Sequence, residues 1–120
     1  MTELAIQARI VLTTAPSHDE AARLAGTLVE ERLAACATLI PAVESFYRWE
    51  GQVESATETL ILLKTAIDQL PALETRLKEL HSYQVPEFLV LGLESGSHAY
   101  LDWLLGSLKK AEHLAAVSAH

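Results

Sequence analysis

The sequence predicts one α+β domain whose strands and helices alternate in the order β-α-β-β-α-β, followed by a further helix. Three observations lead to this fold class. Residues 4–14 show the period-two alternation of a half-buried strand. Two later stretches carry apolar side chains at three- and four-residue steps, as on one face of a helix. Two unbroken apolar runs, 60–63 and 88–91, indicate strands that are buried on both faces.

The first strand is expected over residues 4–14 and is stopped by Pro16. Residues 17–20 then match the capping box S-x-x-E, which opens a helix. Apolar side chains recur on one face from there, so we expect this helix to end near Ala35. Glu20 is expected among the polar residues on its outer side.

A hairpin of two long strands is expected next. Its first strand covers residues 38–49 and bends at Pro41, because a proline in a strand belongs at an edge or a bulge. Residues 50–52 predict the tight turn, with Gly51 supplying a positive φ. The returning strand covers about residues 53–66.

A second helix is expected after a cap at Asp68 or Gln69, with Pro71 tolerated in its first turn. A fourth strand follows over about residues 86–94, and Ser97 caps a last helix. This order is the split βαβ, or ferredoxin-like, arrangement, in which right-handed crossovers place both main helices on one face of a four-stranded antiparallel sheet. Residues 1–108 are expected to form this single domain, and the Ala-rich residues 109–120 a helix extension or tail.

The second face of this sheet is expected to need a partner. Two helices can cover only one face, and one further short helix covers about half of the other. Leaving several hundred Å² of apolar surface exposed to water would cost on the order of 10 kcal/mol of folding free energy. We therefore predict an obligate homo-oligomer; the alternative is that the terminal helix closes the sheet alone.

Composition and charge exclude several function classes. Lys plus Arg is 9 and Asp plus Glu is 16, a net charge of −7, which argues against binding nucleic acids or anionic membranes. The N-terminus lacks the pattern of a signal peptide, and the single Cys36 suits a reducing compartment, so we expect a cytoplasmic protein. With no nucleophile beside a base, we expect no enzyme.

Two residues are candidates for binding a metal ion. His81 ends the second helix; its neutral imidazole suits copper, nickel or zinc, whereas the alternative is a protonated side chain that interacts with the helix dipole. Glu87, on the following strand, is expected to be an oxygen ligand or an ion-pair partner. Cys36 is expected to be a small buried apolar residue, with a soft-metal or redox role as the alternative.

Other polar and aromatic residues are expected near these two. Glu58 and Lys64 share one strand face but lie roughly 20 Å apart, so each must find another partner. Arg32 lies at the edge of the first helix's apolar stripe. Trp49, beside the hairpin turn, is the best candidate for an exposed contact, and Tyr83 is expected to be a core or interface residue.

Several segments, through their order and spacing, resemble the CutA divalent-cation-tolerance family. They are Thr14–Pro16, Glu31–Cys36, Tyr47–Gly51, Lys64–Thr65, His81–Glu87 and Tyr100–Trp103. The resemblance implies a ferredoxin-like homotrimer, similar in plan to the PII signalling proteins, that binds copper or related divalent ions and has no established enzymatic reaction. The polar residues near the family's subunit clefts map here onto Arg32, Trp49, Glu58, Lys64, His81, Tyr83 and Glu87.

Two departures from the family weaken the copper expectation. Thr13 stands where certain members carry the cysteine that is tied to copper binding, and Ser82 replaces a common proline. We therefore expect weak binding of Cu(II) or another divalent cation through His81 and nearby carboxylates, with no obligatory cofactor. The alternative is a PII-like sensor or scaffold whose cleft binds a small anion through Arg32 and Lys64.

Overall fold

The computed structural model describes residues 2–110 as an α+β domain with one four-stranded antiparallel sheet. The strands are β1 (Ala8–Ala15), β2 (Cys36–Trp49), β3 (Gln52–Ala66) and β4 (Leu89–Gly92), in the sheet order β2-β3-β1-β4. The helices are α1 (Thr2–Gln7), α2 (His18–Glu30), α3 (Leu70–Leu80), which follows a 3₁₀ turn at Ile67–Gln69, and α4 (His98–Gly106). Most of the predicted tail, residues 111–120, lies outside the described residues.

The beginning of the chain differs from the strand that was predicted from residue 4. Residues 4–7 belong to α1, and β1 starts at Ala8. Ala8 lies opposite Ala66, the last residue of β3, and the pairing with β4 ends at Arg9. A strand before Ala8 would have no neighbour on either side, whereas a helix satisfies its own backbone hydrogen bonds and buries Ala5 against α4.

The helix α2 begins as predicted but ends five residues early. The Ser17 hydroxyl accepts a hydrogen bond from the Glu20 N–H, which caps the first turn. At the other end Arg32 takes a left-handed φ of 61°, and the N–H groups of Leu33 and Ala34 both donate to the Leu28 carbonyl. The prediction of a helix to Ala35 was wrong. Leu33 and Ala34 are buried, but they belong to the segment after the helix, so their burial does not require helical backbone.

The β2–β3 hairpin confirms both local predictions. The register shifts between Ile40 and Val43, next to Pro41, where Ala42 has a φ of 60°. At the tip, Glu50 and Gly51 both have positive φ, 50° and 79°, as in a type I′ turn.

Part of this hairpin extends beyond the sheet. β1 pairs with β3 only up to Thr59, and β2 is the edge strand of the sheet. Residues 43–58 therefore form a two-stranded ribbon, here called the hairpin arm.

The two faces of the sheet are covered unequally. On the inner face, Val11, Ile61 and Leu63 are fully buried under α2 and α3. On the outer face, α4 and α1 cover only the end around Ala8 and Ala66. Leu89 and Leu91 of β4 are 54% and 45% exposed, so burial of this apolar run on both faces is not achieved within the described residues of one chain.

The strand β4 is shorter than predicted. Only residues 89–92 pair, all of them with β1. Further along β1, the Thr14 carbonyl accepts a hydrogen bond from the His81 side chain and not from a backbone N–H of β4. No helix within residues 2–110 combines the length and the apolar character that crossing a bilayer requires.

Candidate functional site

A cleft of about 740 Å³ lies between the hairpin arm and the loop that follows α3. Four of the seven predicted site residues line it, namely Trp49, Glu58, Tyr83 and Glu87. The other lining residues are Thr14, Ser45, Phe46, Tyr47, Ser82, Gln84 and Val85. The structure therefore brings together residues from three separate parts of the sequence.

Most of the arm residues that line this cleft share one face of the arm, and Phe46 reaches it from the other face. In the β2–β3 register Ser45, Tyr47 and Trp49 alternate along β2, and Glu58 lies opposite Val43 at the same face. Tyr47 and Trp49 are 45% and 56% exposed, as expected for Trp49 from its position beside the turn.

A short hydrogen bond joins the loop to the arm. The Tyr83 hydroxyl donates to Oε2 of Glu58 over 2.6 Å, and Glu58 is only 9% exposed. Burial, and next this hydrogen bond to a carboxylate, raise the pKa of Tyr83 above its ordinary value. The hydroxyl therefore stays protonated at neutral pH, and Glu58 has the partner that its burial requires.

Glu87 lies at the same cleft as a second carboxylate. Burial first, and then the negative charge of Glu58, raise the pKa of Glu87 above its ordinary value. No lysine or arginine is among the described residues that line the cleft. An entering cation would relieve the repulsion between the two carboxylates, so the arrangement is suited to positively charged ligands.

His81 does not line the cleft but forms hydrogen bonds with Thr14 and Tyr83, two residues that do. Its side chain is fully buried; Nε2 lies 2.7 Å from the Thr14 carbonyl oxygen, and Nδ1 lies 3.0 Å from the Tyr83 backbone nitrogen. A carbonyl only accepts and an N–H only donates, so the partners assign the neutral tautomer with the proton on Nε2. A metal ion can reach His81 only if one of these hydrogen bonds is given up.

Glu20 takes part in the same arrangement, although it was predicted to lie on the polar side of α2. That prediction was wrong: the side chain is buried, and Oε2 accepts a hydrogen bond from the Ser82 N–H over 2.9 Å. The same oxygen lies 3.6 Å from Nδ1 of His81. The sequence held no signal for this contact, because the two residues are 62 positions apart.

The charge state of Glu20 follows from these contacts. Burial acts to raise its pKa, but the hydrogen bonds from Ser82, and to a smaller extent the positive charge of Arg23, lower it below its ordinary value. Glu20 is therefore ionised at neutral pH and holds the loop against α2.

Arg32 and Lys64 lie away from this cleft. Arg32 contacts the Ser107 carbonyl at 3.5 Å and lines a smaller cleft with Lys109. Lys64 donates to the Thr38 hydroxyl over 2.9 Å, and its Nζ is 3.6 Å from Sγ of Cys36, which is half-buried. Lys64 thus has a partner other than Glu58, as expected. Anion binding by Arg32 and Lys64 stays a prediction.

The metal-ligand prediction is not met by one chain alone. Within the part of the chain that the structure describes, no three His, Cys, Asp or Glu side chains lie close enough together to hold a metal ion. Glu58 and Glu87 would supply two oxygen ligands, and an ordinary site needs more.

The α+β fold with a four-stranded antiparallel sheet is shared with solved structures. The divalent cation tolerance protein (Cut A1) of Thermus thermophilus superposes with a TM-score of 0.83 at 44% identity, covering 85% of this chain and 99% of that one. CutA1 of Oryza sativa superposes with a TM-score of 0.86 at 37% identity, covering 89% of this chain and 98% of that one.

Sequence comparison leads to the same relatives. The divalent-cation tolerance protein CutA of Thermus thermophilus is 47% identical over 95 residues, which cover 79% of this chain and 92% of the relative. Residues 9–107 match the family model described as CutA1 divalent ion tolerance protein. The chain therefore belongs to the CutA1 divalent ion tolerance family, and the resemblance found in the sequence is confirmed.

Proposed function

We propose that the protein is a non-enzymatic, homotrimeric divalent-cation-tolerance protein that binds a divalent metal ion such as copper weakly at clefts between subunits. The observation that carries this proposal is the pair of carboxylates, Glu58 and Glu87, in a cleft without a lysine or arginine among its described lining residues. The names of its relatives, which are divalent-cation tolerance proteins, support the same function.

The hairpin arm supports the assembly. A two-stranded ribbon is marginally stable by itself in water. On the arm face opposite to Tyr47 and Trp49, Phe46 and Val53 are 71% and 66% exposed. Neighbouring subunits would cover this surface and the exposed residues of β4. The sheet order supports the ferredoxin-like arrangement, and the number of three subunits comes from the family resemblance.

The ligand chemistry supports weak binding. Glu87 and Glu58 offer oxygen atoms, which bind copper less well than nitrogen or sulfur does. His81, the predicted nitrogen ligand, would first have to exchange its hydrogen bond with Tyr83 for a metal ion. A second subunit would supply the remaining ligands in this proposal. A location in the cytoplasm stays a prediction.

Isothermal titration with Cu(II) tests the metal site. Wild type and the control Glu74→Gln, a half-exposed carboxylate of α3 outside the cleft, should bind with the same weak affinity. Glu87→Gln should remove most of the binding heat, and His81→Ala shows whether the imidazole moves to the metal. Equal binding by wild type and Glu87→Gln would contradict the proposed site.

Light scattering at micromolar concentration tests the assembly. The expected mass is three times the 13.1 kDa of one chain. A well-folded species with the mass of a single chain would contradict the homotrimer and the shared cleft together.

A further inference from the structure

The cleft has a wall that the metal proposal does not use. Tyr47 and Trp49 face it from the arm, and Tyr83 faces it from the loop. Both arm rings keep about half of their surface exposed, and exposed aromatic surface beside a concave cleft is typical of binding sites. A metal ion held by carboxylates gains little from such rings, so their position calls for a different ligand.

The volume also exceeds what a metal ion needs. About 740 Å³ falls within the range of roughly 300–1,000 Å³ that small-molecule pockets occupy. A water molecule takes about 30 Å³ of liquid volume, so even an ion with several waters fills a minor part of this cleft.

Charge and aromatic surface together define the ligand class. Aromatic faces attract cations electrostatically, and they also pack against apolar groups. Glu58 and Glu87 add negative charge, and the hydrogen bond from Tyr83 occupies only part of the acceptor capacity of Glu58. A neutral apolar ligand would bring no charge to balance the two carboxylates, and an anion would be repelled by them.

We propose that this cleft binds a small organic ammonium cation, with its nitrogen at the Glu58 and Glu87 carboxylates and its apolar part against Trp49 and Tyr47. The inference rests on the proposed function in one respect, namely that the cleft accepts cations. It names a second class of cation for the same site and involves neither His81 nor a metal ion.

The test uses cyclohexylammonium chloride and cyclohexanol, an uncharged molecule of similar shape, with the full-length protein in metal-free buffer containing EDTA. Titration calorimetry should detect binding of cyclohexylammonium and at least about tenfold weaker binding of cyclohexanol, since the charge interaction is lost. Equal affinity for the two probes, or no binding of either, would overturn the inference.

Variants test the aromatic and the acidic parts separately. Trp49→Leu keeps an apolar side chain but loses the ring, and should weaken cyclohexylammonium binding about fivefold. Trp103→Leu, a half-exposed tryptophan of α4 that does not line the cleft, should bind like wild type. Glu58→Gln and Glu87→Gln should each weaken binding by more than Trp49→Leu does. Wild-type affinity in Trp49→Leu, with unchanged circular dichroism, would refute the aromatic contact.

The two proposals for this cleft can fail independently. Trp49→Leu should leave the Cu(II) titration unchanged, because the metal uses carboxylates and not the ring. Binding of cyclohexylammonium without any binding of Cu(II) would overturn the metal site and support this inference, and the reverse result would do the opposite.

Discussion

The strands β2 and β3 pass through two different environments along their length. Near the centre of the sheet, β3 pairs on both sides and packs under two helices, so that Ile61 and Leu63 have no exposed surface. Beyond the bulge at Ala42 the same strands pair only with each other, and Phe46 and Val53 are mostly exposed.

The two regions therefore have different roles: the central region stabilises the fold, and the arm carries much of the candidate binding site. The central region buries the apolar side chains whose removal from water stabilises the fold. The cleft is formed mainly by the arm and by the loop after α3, which the hydrogen bond between Tyr83 and Glu58 joins. Four experiments test this separation, from the largest expected effect to the smallest.

The largest difference is expected between the truncation of a core side chain and the truncation of an arm side chain, measured as the change in the free energy of unfolding. Leu63→Ala removes a fully buried side chain and should lower the free energy of unfolding by about 2–5 kcal/mol. Val53→Ala on the exposed arm face should change it by less than about 0.5 kcal/mol in the separate subunit. Urea unfolding at several chain concentrations separates the unfolding of a subunit from the dissociation of the oligomer and so measures both. Similar losses in the two variants would contradict the comparison.

The buried Glu20 should stabilise the protein and make its stability depend on pH. Glu20→Gln keeps an acceptor but loses the charge, and should cost about 1 kcal/mol at pH 7, because hydrogen bonds to charged groups contribute about 1.5–3 kcal/mol and neutral ones about 0.5–1.5 kcal/mol. Because the folded-state pKa is lowered, this contribution is present above 4.5 and is lost as the pH falls through the folded-state pKa. Unfolding curves of both proteins should therefore converge in acid. Glu74→Gln, which alters an exposed pair with Lys78, should have little effect at any pH.

Two buried threonines should respond to valine with opposite signs. Both side chains have no exposed surface, but the Thr65 hydroxyl donates to the Leu33 carbonyl over 2.8 Å. The Thr13 hydroxyl has no partner among the described residues. Thr13→Val should raise the free energy of unfolding by about 1 kcal/mol, and Thr65→Val should lower it by about the same amount. The melting temperature of each variant shows the sign of the change. Changes of the same sign would refute this difference.

The turn at the arm tip should have the smallest effect. Gly51 has a φ of 79° and open space where a Cβ would lie, so Gly51→Ala is strained by the backbone alone and should cost about 1 kcal/mol locally. Glu50→Asn, at the other positive-φ position, should favour the turn slightly. If the arm contacts a neighbouring subunit, both changes should shift the dissociation of the oligomer, measured by dilution, more than the unfolding of a subunit.

Local sequence signals predicted most of the elements. The capping serine at 17, the bend at Pro41 and the turn at Gly51 act through neighbouring backbone atoms, so the pattern and the structure agree there. The predictions failed where pairing partners decide: the strand before Ala8 has no neighbour, and apolar residues at 33–34 are buried outside α2.

The candidate site was predictable in part. The residue pattern and the family resemblance together predicted four residues that share the cleft, namely Trp49, Glu58, Tyr83 and Glu87. Polar and aromatic side chains of this kind are conspicuous in an apolar strand pattern. They did not reveal that both nitrogens of His81 are hydrogen-bonded, nor that Glu20 is buried. Both facts depend on contacts between residues far apart in the chain.

The order of residues by itself determined most of the strands and helices, the positions of the bulge and the turn, the net charge of the chain and its family. These properties depend on side-chain periodicity, on φ preferences and on composition, all of which act within a few positions of the chain. Only the tertiary structure decided that Glu58 would meet Tyr83, that Glu20 would meet Ser82, and that the arm would extend beyond the sheet. Such contacts arise when strand register and helix packing bring distant segments within hydrogen-bond distance, which local preferences do not specify.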